Sequence, residues 1–163
     1  MSPILPNAGS PLPQTHTPVE LPELFRLRNV ILEKKPDGKI SHENLKAIAD
    51  TEQVPASHVY AASAVDPNIV LPLEHETLFV VCTGACQAQG ALENIDKLIE
   101  IREKNLSENK ASFDILPRNC LDMCPHSPVA ISRSRLGQVA HPRLKATDIP
   151  EILNQLLSND GSP

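Results

Sequence analysis

All four cysteines of this chain stand in two pairs of identical spacing, Cys82-Thr83-Gly84-Ala85-Cys86 and Cys120-Leu121-Asp122-Met123-Cys124. If these sulfurs share one task, the chain must leave residue 86 and return at residue 120 to the same place. The intervening sequence is suited to that. Residues 77–81 form a β-rich run fit for a buried strand, and residues 112–116 read as a second short strand. Between them Ala91, Leu92, Ile95, Leu98, Ile99 and Arg102 mark a long amphipathic helix. Each pair therefore sits at a strand-to-loop transition, where a chain can bend several side chains toward one point. Gly84 gives the first loop backbone freedom, and Pro125 and Pro128 stiffen the segment after the second pair.

The rest of the pattern completes an α/β fold. Residues 129–132 and 138–140 read as a hairpin around Leu136-Gly137. A last helix begins at Asp148 as cap, with Pro150 in its first turn, Glu151 completing a box-like pair, and Ile149, Ile152, Leu153, Leu156 and Leu157 on one face. The order strand, helix, strand, loop, hairpin, helix implies a small mixed sheet with flanking helices. Upstream, Leu24, Leu27 and Ile31 give a helical stripe that ends at Pro36-Asp37-Gly38. Ser41 caps a second helix with Leu45, Ile48 and Ala49, and a third starts near Pro55 and stops before Asp66-Pro67. This bundle is too small to be comfortable alone and is expected to pack on the α/β part of the chain. Six of the sixteen prolines fall in the first 22 residues, which reads as a flexible or extended arm. The expected organisation is an arm over 1–19, a helical bundle over 20–70 and a cysteine-bearing α/β domain over 71–163.

Composition removes several function classes. Fifteen Lys and Arg against twenty Asp and Glu give a net charge of −5, the wrong sign for phosphate backbones. With three Phe, one Tyr and no Trp, base-stacking platforms are not expected either. No apolar run approaches the roughly 20 residues of a membrane span, so no direct membrane insertion is expected. The N-terminus lacks a basic n-region, and the first cationic residue is Arg26. A cytoplasmic location is expected, peripheral to a membrane complex at most. In a reducing compartment the cysteines are not expected to be disulfide staples.

Four thiolates brought together repel one another unless a cation sits among them. Cysteine arithmetic leaves open a structural zinc ion, a [2Fe–2S] cluster, and plain or redox-active thiols. Structural zinc more often uses pairs with two intervening residues, and the dithiol enzymes prefer C-x-x-C. His126 stands near Cys124, but no further cysteine comes after it to complete a mixed His/Cys centre, so it reads as a loop residue. Two features favour an anionic centre: the helix after Cys86 presents its positive end, and residues 118–145 carry Arg118, Arg133, Arg135, Arg143 and Lys145 against Asp122 alone.

The run Val80-Val81-Cys82-Thr83-Gly84-Ala85-Cys86, then Gly90-Ala91, Cys120-Leu121-Asp122-Met123-Cys124 and Ser127-Pro128-Val129, resembles the thioredoxin-like [2Fe-2S] ferredoxin family. Within it the likeness is to the NuoE-like subunit of NADH:quinone oxidoreductase, which is shared in kind with NAD-linked formate dehydrogenases and hydrogenases. Gly38-Lys39-Ile40-Ser41, Ala47-Ile48-Ala49 and Val54-Pro55 resemble that subunit's helical part, so the likeness runs over residues 21–157. It implies a thioredoxin-like fold and one [2Fe–2S] cluster on Cys82, Cys86, Cys120 and Cys124. It also implies an electron-carrier role beside a flavin subunit that oxidises NADH. No G-x-G-x-x-G appears among the six glycines, so nicotinamide chemistry is assigned to the partner. The chain departs from the family pattern in three places. The first pair has three intervening residues instead of four, Asp122 replaces a glycine, and Ala61-Ala62-Ser63-Ala64-Val65 replaces an aromatic-rich segment. The alternative is a structural or regulatory interaction module of the same fold with a four-cysteine zinc site or no metal.

Overall fold

The computed structural model describes residues 18–121 and 124–160. Residues 1–17 of the expected arm, Asp122, Met123 and the side chain of Cys124 lie outside the described residues. Three helices come first: α1 (Leu21–Lys34), α2 (His42–Glu52) and α3 (Ala56–Ser63). Pro22 stands in the first turn of α1, where a missing N–H costs nothing. The Ser41 hydroxyl accepts the Asn44 N–H at the start of α2, as its sequence position implies. Gly38 adopts φ +78° in the turn between them, and a Cβ there would lie 2.0 Å from the Asn68 carbonyl oxygen. Only glycine fits that crossing.

Helix α3 is buried on nearly every side, from Ser57 through Ser63. Its run of small residues explains this, because Ala61, Ala62 and Ser63 let α1, α2 and the helix behind approach closely. The start of α3 is fixed from outside: the Asp96 carboxylate accepts both the Ser57 N–H (2.9 Å) and its hydroxyl (2.8 Å).

The second half is β1 (Leu78–Cys82), a 3-10 turn (Ala85–Gln89), α4 (Ala91–Ser107) and β2 (Asp114–Arg118), followed by a loop, β3 (Ala130–Ser134), β4 (Gly137–His141) and α5 (Ile149–Asp160). The sheet order is β2-β1-β3-β4, with β1 parallel to β2 and antiparallel to β3, and β3 antiparallel to β4. A parallel β-α-β unit is thus joined to an antiparallel hairpin and a closing helix, a mixed α/β arrangement. The core is continuous: Leu27, Ile31, Leu45 and Tyr60 from the helices belong to one apolar cluster with Phe79, Ile95, Leu98, Phe113 and Ile115. Arg102, on the buried side of α4, donates to the Phe113 carbonyl at 2.8 Å. Buried Asp114 accepts the backbone N–H groups of Glu74 and His75 and the His75 ring Nδ1–H.

One expected cap is built differently. Asp148 does not cap α5 forward; a 3-10 turn (Ala146–Asp148) runs straight into the helix, and the Asp148 carboxylate reaches back to the Lys145 N–H at 3.3 Å. The helical path thus begins at Ala146, a turn earlier than the proline signal implies.

Candidate metal centre

Cys82 is the last residue of β1, and its register partner on β2 is Arg118. This pairing decides where the two loops go. Both leave the same end of the sheet side by side, and Cys120 comes two residues after the strand end. They are then tied together. The Thr83 N–H donates to the Arg118 carbonyl at 2.7 Å, and the Thr83 hydroxyl donates to the same oxygen at 3.2 Å. The Cys82 Sγ lies 3.8 Å from the Asn119 carbonyl oxygen. On the other flank the Cys82 N–H donates to the Val129 carbonyl at 3.3 Å.

Gly84 holds the tightest crossing. Its φ is −89°, so the positive-φ freedom of glycine is not what the loop uses. A Cβ would instead stand 2.1 Å from the Asn119 carbonyl oxygen; the residue is small because the second cysteine loop presses against it. Leu121, from inside the second pair, packs on a buried cluster made of Cys82, Cys86 and Ala91. Ala91 is the first residue of α4, so that helix starts against the sulfurs.

Cys82 and Cys86 are buried and lie together, their sulfurs within hydrogen-bonding reach, whereas Cys120 is exposed. Burial pushes the Cys82 thiol above its ordinary range; the neighbouring Cys86 sulfur acts in the same direction and the Gly84 N–H opposes. That direction at Cys82 is the reverse of the depressed value a disulfide-exchange nucleophile needs. Among the described residues no three His, Cys, Asp or Glu side chains are grouped closely enough to hold a metal ion. The structure thus brings the first pair together and sets the second pair's loop against it, with Cys120 outward. The Cys124–His126 segment forms a single 3-10 turn, and His126 is an exposed loop residue as expected. The donor chemistry, two adjacent buried sulfurs and a further cysteine on the adjoining loop, suits a soft metal centre.

The basic residues divide. Arg118 lies at the cysteine end, and the Arg143 N–H donates to the His126 carbonyl. Arg133 pairs in register with Leu78, at the opposite end of β1, roughly 13 Å along the strand. Arg135 lies beyond it in a two-oxygen contact with Glu76. Antiparallel register sends that part of the positive charge away, which a count along the sequence does not register. Gln87, Asn119 and Leu121 carry no signal of their own in the sequence, yet they bind, crowd and cover the first cysteine loop. Gly84 alone carries one.

Fold and site together define a mixed α/β protein whose two cysteine loops meet at one end of the sheet. No family model matches the chain, and no curated protein matches it in sequence. Among solved structures it is similar to the wild-type thioredoxin-like [2Fe-2S] ferredoxin from Aquifex aeolicus, at 20% identity over 55% of this chain and 92% of that one, with a TM-score of 0.45. A second structure of a thioredoxin-like [2Fe-2S] ferredoxin from the same organism gives 18% identity over 55% of this chain and 96% of that one, with a TM-score of 0.42.

Proposed function

We propose that the chain is an electron-transfer subunit that holds one [2Fe–2S] cluster on Cys82, Cys86, Cys120 and Cys124. It passes electrons to or from a flavin-containing, NADH-oxidising partner of a cytoplasmic oxidoreductase complex of the NADH dehydrogenase, formate dehydrogenase or hydrogenase type. The observation that carries this is the packing of Leu121, from within the second cysteine pair, on the buried cluster that holds Cys82 and Cys86. When bound, such a cluster supplies reversible one-electron reduction without bond chemistry on the protein. The chain's own contribution is to supply thiolates, to shield the first pair from water with Leu121 and Ala91, and to set the start of α4 against the site's negative charge. Among the described residues no helix is long and apolar enough to cross a membrane.

Anaerobic purification followed by visible absorption and iron and sulfide analysis tests the cluster. The expected result is a coloured protein with about two irons and two sulfides per chain; a colourless protein with one tightly held zinc overturns it in favour of the structural module. Co-purification of the native complex tests the partner, and a flavoprotein is the expected companion.

A further inference from the structure

Gln87 comes directly after Cys86 and is buried. A buried primary amide needs partners at both its ends, and these two ends go to different parts of the chain. The Nε2 donates to the Thr83 carbonyl at 2.6 Å, closing the loop that spans the first cysteine pair. The Oε1 accepts the Val19 backbone N–H at 2.7 Å, across 68 positions of sequence. Val19 stands two residues before α1. Pro18 and Val19 also line, with Thr83, Gly84 and Asn119, a groove of about 600 Å³ whose edge includes the exposed side chains of Leu21 and Phe25.

We propose that Gln87 is a positioning residue whose amide clamps Thr83, inside the first cysteine loop, to the backbone of Val19, so that the start of α1 sets the placement of Cys86. The proposal rests on the reading of Cys82 and Cys86 as metal ligands. Its physical content is simple. While Val19 holds the Oε1, the amide plane is fixed and its N–H points at Thr83. When Val19 is withdrawn, the amide is free to turn and the loop loses its internal tie. A contact that moves the start of α1 is therefore felt one residue from a sulfur, although α1 carries no cysteine.

Val19→Pro removes the N–H without touching the loop, Val19→Ala keeps it, and Gln87→Leu removes both bonds at similar volume. The measurement is the alkylation rate of each cysteine by iodoacetamide in the full chain stripped of metal by a chelator, read by mass spectrometry, with circular dichroism showing retained fold. Where the stripped chain loses its fold, the rate of metal release from the loaded chain to the chelator takes its place. Loss of one buried hydrogen bond in Val19→Pro, or of both in Gln87→Leu, predicts faster alkylation of Cys82 and Cys86, or faster metal release, by roughly 2- to 10-fold or more. Val19→Ala and the rate at Cys120 stay at the parent value. Unchanged rates in Val19→Pro overturn the proposal, as does an equal rise at all four cysteines, which signals general loosening. Iron and sulfide analysis of the parent chain fails or succeeds separately, so loss of the cluster reading and loss of the clamp are told apart.

Discussion

Gly84 illustrates how much one missing atom decides. The space for its Cβ is taken by the Asn119 carbonyl, 2.1 Å away, and neither backbone yields without opening the contact between the cysteine loops. Gly84→Ala is expected to cost about 1–3 kcal/mol of stability and to lower the metal content of the purified protein; urea denaturation and metal analysis check the two together. His42 makes a different kind of prediction. Its ring is buried, with Nδ1 2.7 Å from the Tyr60 hydroxyl. Burial, with Arg102 nearby, pushes the ring down to about 4, against the opposing pull of Asp114 and Glu43. The folded state thus holds His42 neutral where the unfolded chain, with an ordinary value near 6.5, takes up a proton. Stability is therefore full above about pH 6.5 and falls as the pH drops toward 4, by up to about 3 kcal/mol in all. Urea midpoints measured from pH 7.5 to 4 should show that slope in the parent and a flatter one in His42→Asn.

At the scale of elements, α3 is the piece whose placement owes most to a single side chain elsewhere. Eight residues do not make a stable helix by propensity, and its first turn is held by Asp96 of α4 through two bonds to Ser57. Asp96→Ala is expected to destabilise the chain by about 1–2 kcal/mol, and Asp96→Asn, which keeps an acceptor, by less; thermal or urea unfolding separates them. Such features also mark the boundary of what the sequence discloses. Local chemistry is legible: the Ser41 cap, the turn after α1, the hairpin around Leu136-Gly137 and the order strand, helix, strand, hairpin, helix all come from neighbours in sequence. What depends on partners far along the chain is not. The Ser57–Asp96 bonds, the Gln87–Val19 bond and the register that carries Arg133 away from Cys82 each require knowing which strands and helices lie side by side. Asp148 misleads for a smaller reason, since a capping carboxylate and a carboxylate inside a preceding 3-10 turn look alike in one dimension.

For the whole molecule the governing fact is the shared core. Leu45 of α2 and Tyr60 of α3 belong to the same apolar cluster as Phe79 of β1 and Leu98 of α4, and the Asp96 carboxylate of α4 ties the two halves by accepting the Ser57 N–H and hydroxyl of α3. We propose that residues 20–70 and 71–163 are two halves of one cooperative unit, the smaller half having too little core to persist alone. Tyr60 is the single tyrosine of a chain without tryptophan, and it is buried, so tyrosine fluorescence reports on the helical half alone. Amide exchange of residues 78–82 reports on the sheet. The two signals should be lost at the same urea concentration. Leu45→Ala, which removes a fully buried side chain from the helical half, should lower both midpoints together, at a cost of about 2–5 kcal/mol. Fluorescence that melts first while β1 stays protected would divide the molecule in two. The consequence for the candidate site is direct: the first cysteine loop bonds to β2 through Thr83 and to the segment before α1 through Gln87, so a cooperative chain opens that loop in the same transition that exposes Tyr60, with no earlier step.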